Sequence, residues 1–133
     1  LLQLVENLNL SNQIHFPGYV DQNELPIIFN LASVFVYPSF YEGFGLPVLE
    51  AMACGTPVIT SNISSMPEFV GNGGILINPN EINDIVDAMR RIITNENLKI
   101  ELGENAIAQA KKFTWKATAQ KTLDVYRKVL QGD

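Results

Sequence analysis

The segment 42–50 holds the residues best suited to chemistry, two acids with glycines between them. Glu42 and Glu50 are separated by seven residues, and Gly43 and Gly45 come directly after Glu42. A glycine lets a ligand approach the backbone, because it carries no side chain. A carboxylate near a helix N-terminus can accept two hydrogen bonds from a ribose diol, as acidic residues do in dinucleotide-binding folds. The segment therefore predicts either a ligand site with two acids or a plain turn before a helix whose Glu50 faces solvent.

The charge distribution restricts how such a site could bind an anion. The chain has 133 residues and a formal net charge of −5, yet all nine Lys and Arg residues lie at or beyond Arg90. Residues 1–89 contain nine acids and carry −9, whereas residues 90–133 carry +4. An anion bound by the first 89 residues must therefore be held by backbone N–H groups and helix ends. We expect no nucleic-acid partner, because no cation alternates with aromatic residues in a binding stripe.

The elements that would position this segment are predicted from hydrophobic spacing and capping residues. Asp21 and Glu24 have the spacing of a capping box, which predicts a helix start at Asp21. The uninterrupted β-forming run 34–37 is typical of a strand buried on both faces. The predicted strands are 13–16, 34–37, 57–60 and 74–77. The predicted helical segments are 1–9, 21–31, 46–54, 67–70, 81–94, 98–113 and 115–130, the last capped by Thr114.

Strands that alternate with helices at short spacing indicate an α/β fold, with a parallel sheet flanked by helices and a helical C-terminus. Ligands on such sheets bind at the C-terminal ends of the strands, so the loops after them are expected to converge on the site. The uncharged stretch 25–41 resembles a membrane span in composition. Pro26 and Pro38 interrupt it, and a helix followed by a buried strand explains it better.

Several single residues have plain structural interpretations. One cysteine and one histidine exclude an internal disulfide framework and a Cys/His metal cluster. We interpret Cys54 as a small packing residue at a helix end and His15 as a structural or surface residue at the end of a strand. Trp115, Tyr126 and Val129 are expected to be core contacts of the last helix.

A polar cluster follows the strand predicted at 57–60. Ser61, Asn62 and Ser64 stand where loops converge on the ligand edge. These side chains either contact a ligand or form a turn.

The run EGFGLPVLEAMACGTPVI at 42–59 resembles the E-x7-E signature of family 4 glycosyltransferases, which have the GT-B fold. The resemblance extends over nearly all of the chain. Further segments that resemble the family are Gly18-Tyr19-Val20 with Glu24-Leu25, Pro67-Glu68, Gly73-Gly74-Ile75-Leu76-Ile77 and Phe113-Thr114-Trp115.

The resemblance implies a fold and a set of site residues. GT-B enzymes have two Rossmann-like domains that face each other across a cleft, and the C-terminal one binds the nucleotide-sugar donor. Residues 1–133 are then a partial C-terminal donor-binding domain. The resemblance assigns ribose binding to Glu50 and a catalytic position at the donor sugar to Glu42. It assigns contacts to the sugar and diphosphate to the backbone of Gly43, Phe44, Gly45 and Leu46. Tyr19 and Val20 are expected to border the base.

The resemblance also implies a reaction and its partners. Such enzymes transfer a hexose from a nucleotide-diphosphate-sugar to a glycan or lipid-linked acceptor with retention of configuration. They need no metal ion and no cofactor. The partners are the donor, the acceptor and the N-terminal domain of the same protein. We expect a cytoplasmic location, or a peripheral one on the cytoplasmic face of a membrane where glycans are assembled.

The chain departs from the family in one respect. The family normally adds an Arg and a Lys to the diphosphate from preceding segments, and no Lys or Arg occurs here before Arg90. We therefore expect a fragment that lacks the acceptor domain and the first strands of the donor domain. We expect it to have no transferase activity alone.

Three other functions would use some of the same sequence features. A glycosidase also uses two carboxylates, but its mechanism would not need the anion site formed by the glycine-bearing helix start. A phosphoacceptor domain needs clustered aspartates, and here they are scattered. A non-catalytic α/β interaction module is the remaining alternative.

Overall fold

Three of the four predicted strands form the sheet. In a computed structural model that describes residues 1–132, the parallel strands are β1 (Phe35–Tyr37), β2 (Val58–Ser61) and β3 (Gly74–Ile77), in the order β1-β2-β3. Phe35 lies opposite Val58 in the register of β1 and β2, and Ile59 lies opposite Ile75 in that of β2 and β3. Because all three strands run in the same direction, their C-terminal ends meet at one edge of the sheet.

Helices connect and flank the strands. They are α1 (Leu2–Asn7), α2 (Leu25–Leu31), α3 (Leu46–Ala53), α4 (Met66–Val70), α5 (Ile82–Thr94), α6 (Glu96–Ala110) and α7 (Trp115–Gln131), with a 3₁₀ turn at Gly71–Gly73. The predicted cap of the last helix is present, since Thr114 Oγ1 accepts a hydrogen bond from the Ala117 N–H at 3.1 Å. Pro47 lies in the first turn of α3, where its missing N–H costs no helical hydrogen bond.

Hydrophobic side chains cover both faces of the sheet. Val58 and Ile59, adjacent on β2, are both fully buried but belong to different clusters, because successive strand residues point to opposite faces. One cluster contains Val58 with residues of α2, α3, α4 and α6, including Phe29, Met52, Phe69 and Ala106. The other contains Ile59 with Ala88, Ile92 and Leu102 from α5 and α6. The predicted α/β class with a flanked parallel sheet is confirmed.

The strand predicted at 13–16 is wrong, and β1 is less buried than expected. Residues 14–16 belong to no strand, and His15 is exposed. A strand needs a neighbour for its N–H and C=O groups, and in the described part of the chain the sheet ends at β1. All three residues of β1 are half-buried, because this strand pairs on one side only.

The predicted helix start at Asp21 is also wrong. The Asp21 carboxylate accepts the N–H of Asn23 at 2.9 Å, which forms a local turn in place of a capping box. Helix α2 begins at Leu25, with Pro26 in its first turn.

The last helix does not pack as expected. Trp115, Tyr126 and Val129 are 80%, 62% and 72% exposed, and α7 has no buried residue. Amphipathic spacing predicts that a helix has an apolar face, but not what covers that face. Within residues 1–132 nothing buries it. No helix among these residues combines the length and the hydropathy that crossing a bilayer requires.

Candidate functional site

The loop between β1 and α3 forms the centre of the site, and serines at and just after the end of β2 hold it in place. Ser61 Oγ donates to the carbonyl of Ser39. Ser65 Oγ donates to the carbonyl of Phe44 at 2.8 Å. These serines lie 21 and 22 residues further along the chain than their partners, so the loop is fixed to the neighbouring strand end. Ser61 therefore braces the loop.

Glu42 is half-buried and hydrogen-bonded within this loop. Its Oε1 atom accepts the Tyr37 hydroxyl at 2.6 Å and the Ser39 hydroxyl at 3.0 Å. Its backbone N–H donates to Ser64 Oγ at 3.1 Å. Ser64 has a φ of +59°, which is unusual for a residue other than glycine. Sequence reasoning missed Tyr37 and Ser39; their position at the end of β1 was the available signal.

The two glycines of the loop serve different purposes. Gly45 is the N-cap of α3 and has a φ of +101°. A Cβ atom there would lie 2.7 Å from Met66 Cε, so the Met66 side chain would have to shift, and the positive φ favours glycine whatever the space. A Cβ atom on Gly43 would have no neighbour within 4 Å. Of these two glycines, Gly43 is the one whose absent side chain leaves open space for a ligand.

The start of α3 presents amide groups without partners. The N–H groups of Val48 and Leu49 donate to the carbonyl of Gly45. Among residues 1–132, the N–H groups of 43–46 donate to no acceptor. Free amides at a helix N-terminus, together with the helix dipole, favour an anion. The N–H groups of the predicted anion site are therefore without acceptors within residues 1–132.

Glu50 is exposed and forms the wall shared by two grooves. The first, called the α2 groove, has a volume of about 410 Å³ and is lined by Gln22, Leu25, Pro26, Phe29, Glu50, Ala53 and Cys54. The second, called the α7 groove, has a volume of about 620 Å³ and is lined by Phe44, Leu46, Leu49, Glu50, Ala53, Phe113, Thr114, Trp115 and Thr118. Leu46, Glu50 and Ala53 share the face that their helical spacing predicts.

Glu50 faces these grooves without a cation beside it. None of the ion pairs within residues 1–132 includes Glu50. Its carboxylate is therefore available to donors from a ligand.

Two titratable groups near the acids have shifted pKa values. Burial raises the pKa of the Cys54 thiol, and the negative charge of Glu50 raises it further. This thiol is a poor nucleophile, in agreement with a packing role. The hydrogen bond to Glu42 raises the pKa of Tyr37, with burial and the Glu42 charge acting in the same direction. The Tyr37 phenol therefore stays protonated and remains a donor to Glu42.

The remaining predicted site residues lie outside the two grooves. Tyr19 is 89% exposed and Val20 is half-buried, and they precede Gln22 of the α2 groove. Glu42 is not a lining residue of either groove. No group of three or more His, Cys, Asp or Glu side chains within 1–132 is arranged to hold a metal ion.

Comparison with known proteins gives a consistent family match. Residues 1–112 match the family model for glycosyl transferases group 1. The chain is 41% identical over 127 residues to O-antigen chain mannosyltransferase B from Escherichia coli. That alignment covers 96% of this chain and 33% of the relative.

Solved structures give the same result. Sucrose-phosphate synthase from Thermosynechococcus elongatus superposes with a TM-score of 0.88 and 34% identity, over 99% of this chain and 34% of that one. Anabaena HepE in complex with UDP and glucose superposes with a TM-score of 0.85 and 25% identity, over 95% of this chain and 35% of that one. The chain spans about a third of the length of each of these proteins.

Proposed function

Because the chain belongs to the group 1 glycosyl transferases and superposes on part of enzymes with the GT-B fold, we propose that it forms part of the donor site of a hexosyltransferase. The full-length enzyme transfers a sugar from a nucleotide-diphosphate-sugar to a glycan or lipid-linked acceptor. Residues 1–133 then belong to its C-terminal donor-binding domain, and the N-terminal domain of the same protein supplies the acceptor site.

The observation that carries this proposal is the placement of Glu50 beside the free amides of α3. Glu50 lies one turn into the helix that begins with the unpartnered N–H groups of 43–46. A ribose diol bound by this carboxylate brings the attached diphosphate within reach of amides that favour anions. The relatives support the same ligand class, since HepE was solved with UDP and glucose.

The other predicted residues fit around that core. Glu42 is assigned a catalytic position at the donor sugar, where its charge balances positive charge that develops at the reacting carbon. Backbone groups of Gly43, Phe44, Gly45 and Leu46 contact the sugar and diphosphate. Tyr19 and Val20 border the base; the exposed Tyr19 ring and the adjacent α2 groove support that position.

We assign the reaction a retaining course. The bond from the sugar carbon to the diphosphate oxygen breaks, the acceptor oxygen bonds to the same face of that carbon, and the acceptor hydroxyl proton passes to the leaving diphosphate. Protein donors, among them the free amides and the dipole of α3, stabilise the leaving diphosphate, and the proposed reaction uses no metal ion or cofactor. Turnover that continues in EDTA would agree with this.

The test is a donor-binding screen on the full-length protein with UDP-glucose, GDP-mannose and ADP-glucose. Replacing Glu50 with Gln removes the charge and one acceptor of the ribose diol. Charge-assisted hydrogen bonds contribute roughly 1.5–3 kcal/mol each, so we expect donor affinity to fall about 10- to 100-fold.

A matched control is Glu104→Gln on α6, which alters another exposed glutamate. Calorimetry should give this variant the affinity of the unaltered protein. Unchanged affinity in Glu50→Gln would overturn the ribose assignment.

A further inference from the structure

The backbone of Glu42 is held from a distant part of the chain. Its N–H donates to Ser64 Oγ at 3.1 Å, and Ser64 Oγ donates back to its carbonyl at 2.8 Å. A hydroxyl can do both at once, because it has one proton and two lone pairs. Ser64 lies 22 residues from Glu42 in sequence, so this pair of bonds fixes the loop relative to the end of β2.

The side chain of Glu42 is held by one oxygen only. Oε1 accepts the Tyr37 hydroxyl at 2.6 Å and the Ser39 hydroxyl at 3.0 Å. Ser39 Oγ also lies 3.3 Å from the Tyr41 carbonyl, but the shorter contact to a charged carboxylate is the stronger one.

The other carboxylate oxygen is open. Oε2 has no donor among residues 1–132, and these residues contain no buried polar side-chain atom without a partner. Oε2 therefore reaches solvent. It is the one polar atom of Glu42 left for a ligand.

We propose that Tyr37 and Ser39 are positioning residues, which hold Glu42 by Oε1 so that Oε2 faces the donor sugar. This inference rests on the proposed function, in which Glu42 acts at that sugar. A glutamate has several rotatable bonds, and two donors on the same oxygen remove most of that freedom before the donor binds.

Tyr37 is itself well supported for this task. It is the last residue of β1, and its carbonyl accepts the Thr60 hydroxyl of β2 at 2.7 Å. Its ring stacks on that of Phe35, with centroids 5.9 Å apart and an interplanar angle of 19°. The donor to Glu42 thus stands on a strand, which positions a side chain more tightly than a loop does.

The experiment uses the full-length protein and the nucleotide sugar from the panel above that gives the fastest turnover, measured as release of nucleoside diphosphate. Tyr37→Phe and Ser39→Ala should each lower kcat roughly 10- to 100-fold, as expected when a catalytic group is misplaced. The Kd for the nucleoside diphosphate should stay within about threefold, because Glu42 does not hold the nucleotide. Ser39→Thr keeps the hydroxyl and should retain kcat.

Two further variants separate positioning from a structural effect. In a Glu42→Ala background, Tyr37→Phe should cause no additional loss, because the group it positions is absent. Tyr41→Phe is the matched control, since Tyr41 lies in the same loop with its side chain 83% exposed. That variant should keep the unaltered kcat and melting temperature.

The outcomes distinguish the two proposals. If Glu42→Ala lowers turnover while Tyr37→Phe and Ser39→Ala keep the unaltered kcat, the positioning role is overturned and the proposed function stands. If the losses in kcat caused by Tyr37→Phe and Glu42→Ala are fully additive in the double variant, the positioning role is overturned as well. If Glu42→Ala itself retains turnover, the role of Glu42 in the proposed function fails.

Discussion

Glu42 and Glu50 carry the same functional group in different surroundings. Glu42 is half-buried and accepts two hydroxyl donors on one oxygen. Glu50 is exposed, with a groove on either side of it. The first environment restrains a carboxylate, which suits a group that must meet a reacting atom. The second leaves a carboxylate free to be bound by a polyol.

At the same scale, Gly45 and Gly43 should respond differently to alanine. Gly45→Ala places a Cβ 2.7 Å from Met66 Cε and forces alanine to a φ of +101°. Backbone strain of about 1–2 kcal/mol and overpacking of about 1–3 kcal/mol lead us to expect roughly 2–5 kcal/mol of destabilisation. Urea denaturation measures this. Gly43→Ala should change the free energy of unfolding by less than about 0.5 kcal/mol, and equal losses in both variants would contradict the distinction.

Tyr37 should make the stability of the chain depend on pH in alkaline solution. Its pKa in the folded state is raised above the ordinary value of 10.0, chiefly by the hydrogen bond to Glu42. Folding therefore favours the protonated phenol. That contribution is complete below pH 10 and is lost as the pH rises through the raised pKa.

Tyr37→Phe isolates this effect, because the other titrating groups are common to both proteins. At neutral pH the variant should be less stable by about 1 kcal/mol. The difference in free energy of unfolding should shrink as the pH rises above 10. A difference that stays constant to pH 11 would show that the pKa of Tyr37 is the same in the folded and unfolded chain.

At the scale of elements, helix α6 approaches the end of α3 closely. A Cβ atom on Gly103 would lie 2.6 Å from the backbone oxygen of Gly55. Gly103→Ala gains about 1 kcal/mol of helix propensity, but a contact with backbone cannot be relieved by rotating a side chain. Overpacking of about 1–3 kcal/mol should exceed the gain, so we expect net destabilisation.

Urea denaturation of Gly103→Ala beside Glu104→Ala checks this, because the second variant changes an exposed neighbour on the same helix. We expect Glu104→Ala to fall within about 0.5 kcal/mol of the unaltered chain. A more stable Gly103→Ala variant would show that α6 can move away from α3 at little cost.

Elements could be predicted from sequence where local pattern and packing agree. Helix α3 has proline in its first turn and an apolar stripe, and its bounds were predicted to within one residue. The predictions for 13–16 and 21–24 were wrong for different reasons. The strand pattern at 13–16 lacks a neighbouring strand within residues 1–132, and the capping pattern at 21–24 competes with a local hydrogen bond. The side chain of Asp21 binds Asn23, and no strand among the described residues pairs with 13–16.

At the scale of the whole molecule, charge limits what the chain can do alone. Both acids and the free amides of 43–46 lie in residues 1–89, which carry −9, and a donor diphosphate is an anion. The family resemblance leads us to expect an Arg and a Lys at the diphosphate, and residues 1–89 contain neither. Charge-assisted contacts are worth roughly 1.5–3 kcal/mol each, so the isolated chain should bind a nucleotide sugar about one to four orders of magnitude more weakly than the full-length protein.

Calorimetry on both proteins, with the same nucleotide sugar, measures that difference. The isolated chain should first be shown to unfold cooperatively, so that weak binding is not a result of misfolding. Equal affinities would mean that amides and Glu50 suffice, and the expected cationic contribution would be wrong.

Sequence alone was sufficient for the family, through the resemblance of 42–59 to the E-x7-E signature, and for the α/β class, through the alternation of strand and helix patterns. It was also sufficient for the pairing of an acid with a glycine-bearing helix start, because these residues lie close together along one loop and one helix. The family and the class are confirmed. Only tertiary structure decided which groups surround each acid. Tyr37, Ser64 and the walls of the two grooves come from separate elements, and contacts between distant segments leave no periodic pattern in the chain. For the same reason, spacing predicted the amphipathic character of α7 but not that its apolar face stays exposed within residues 1–132.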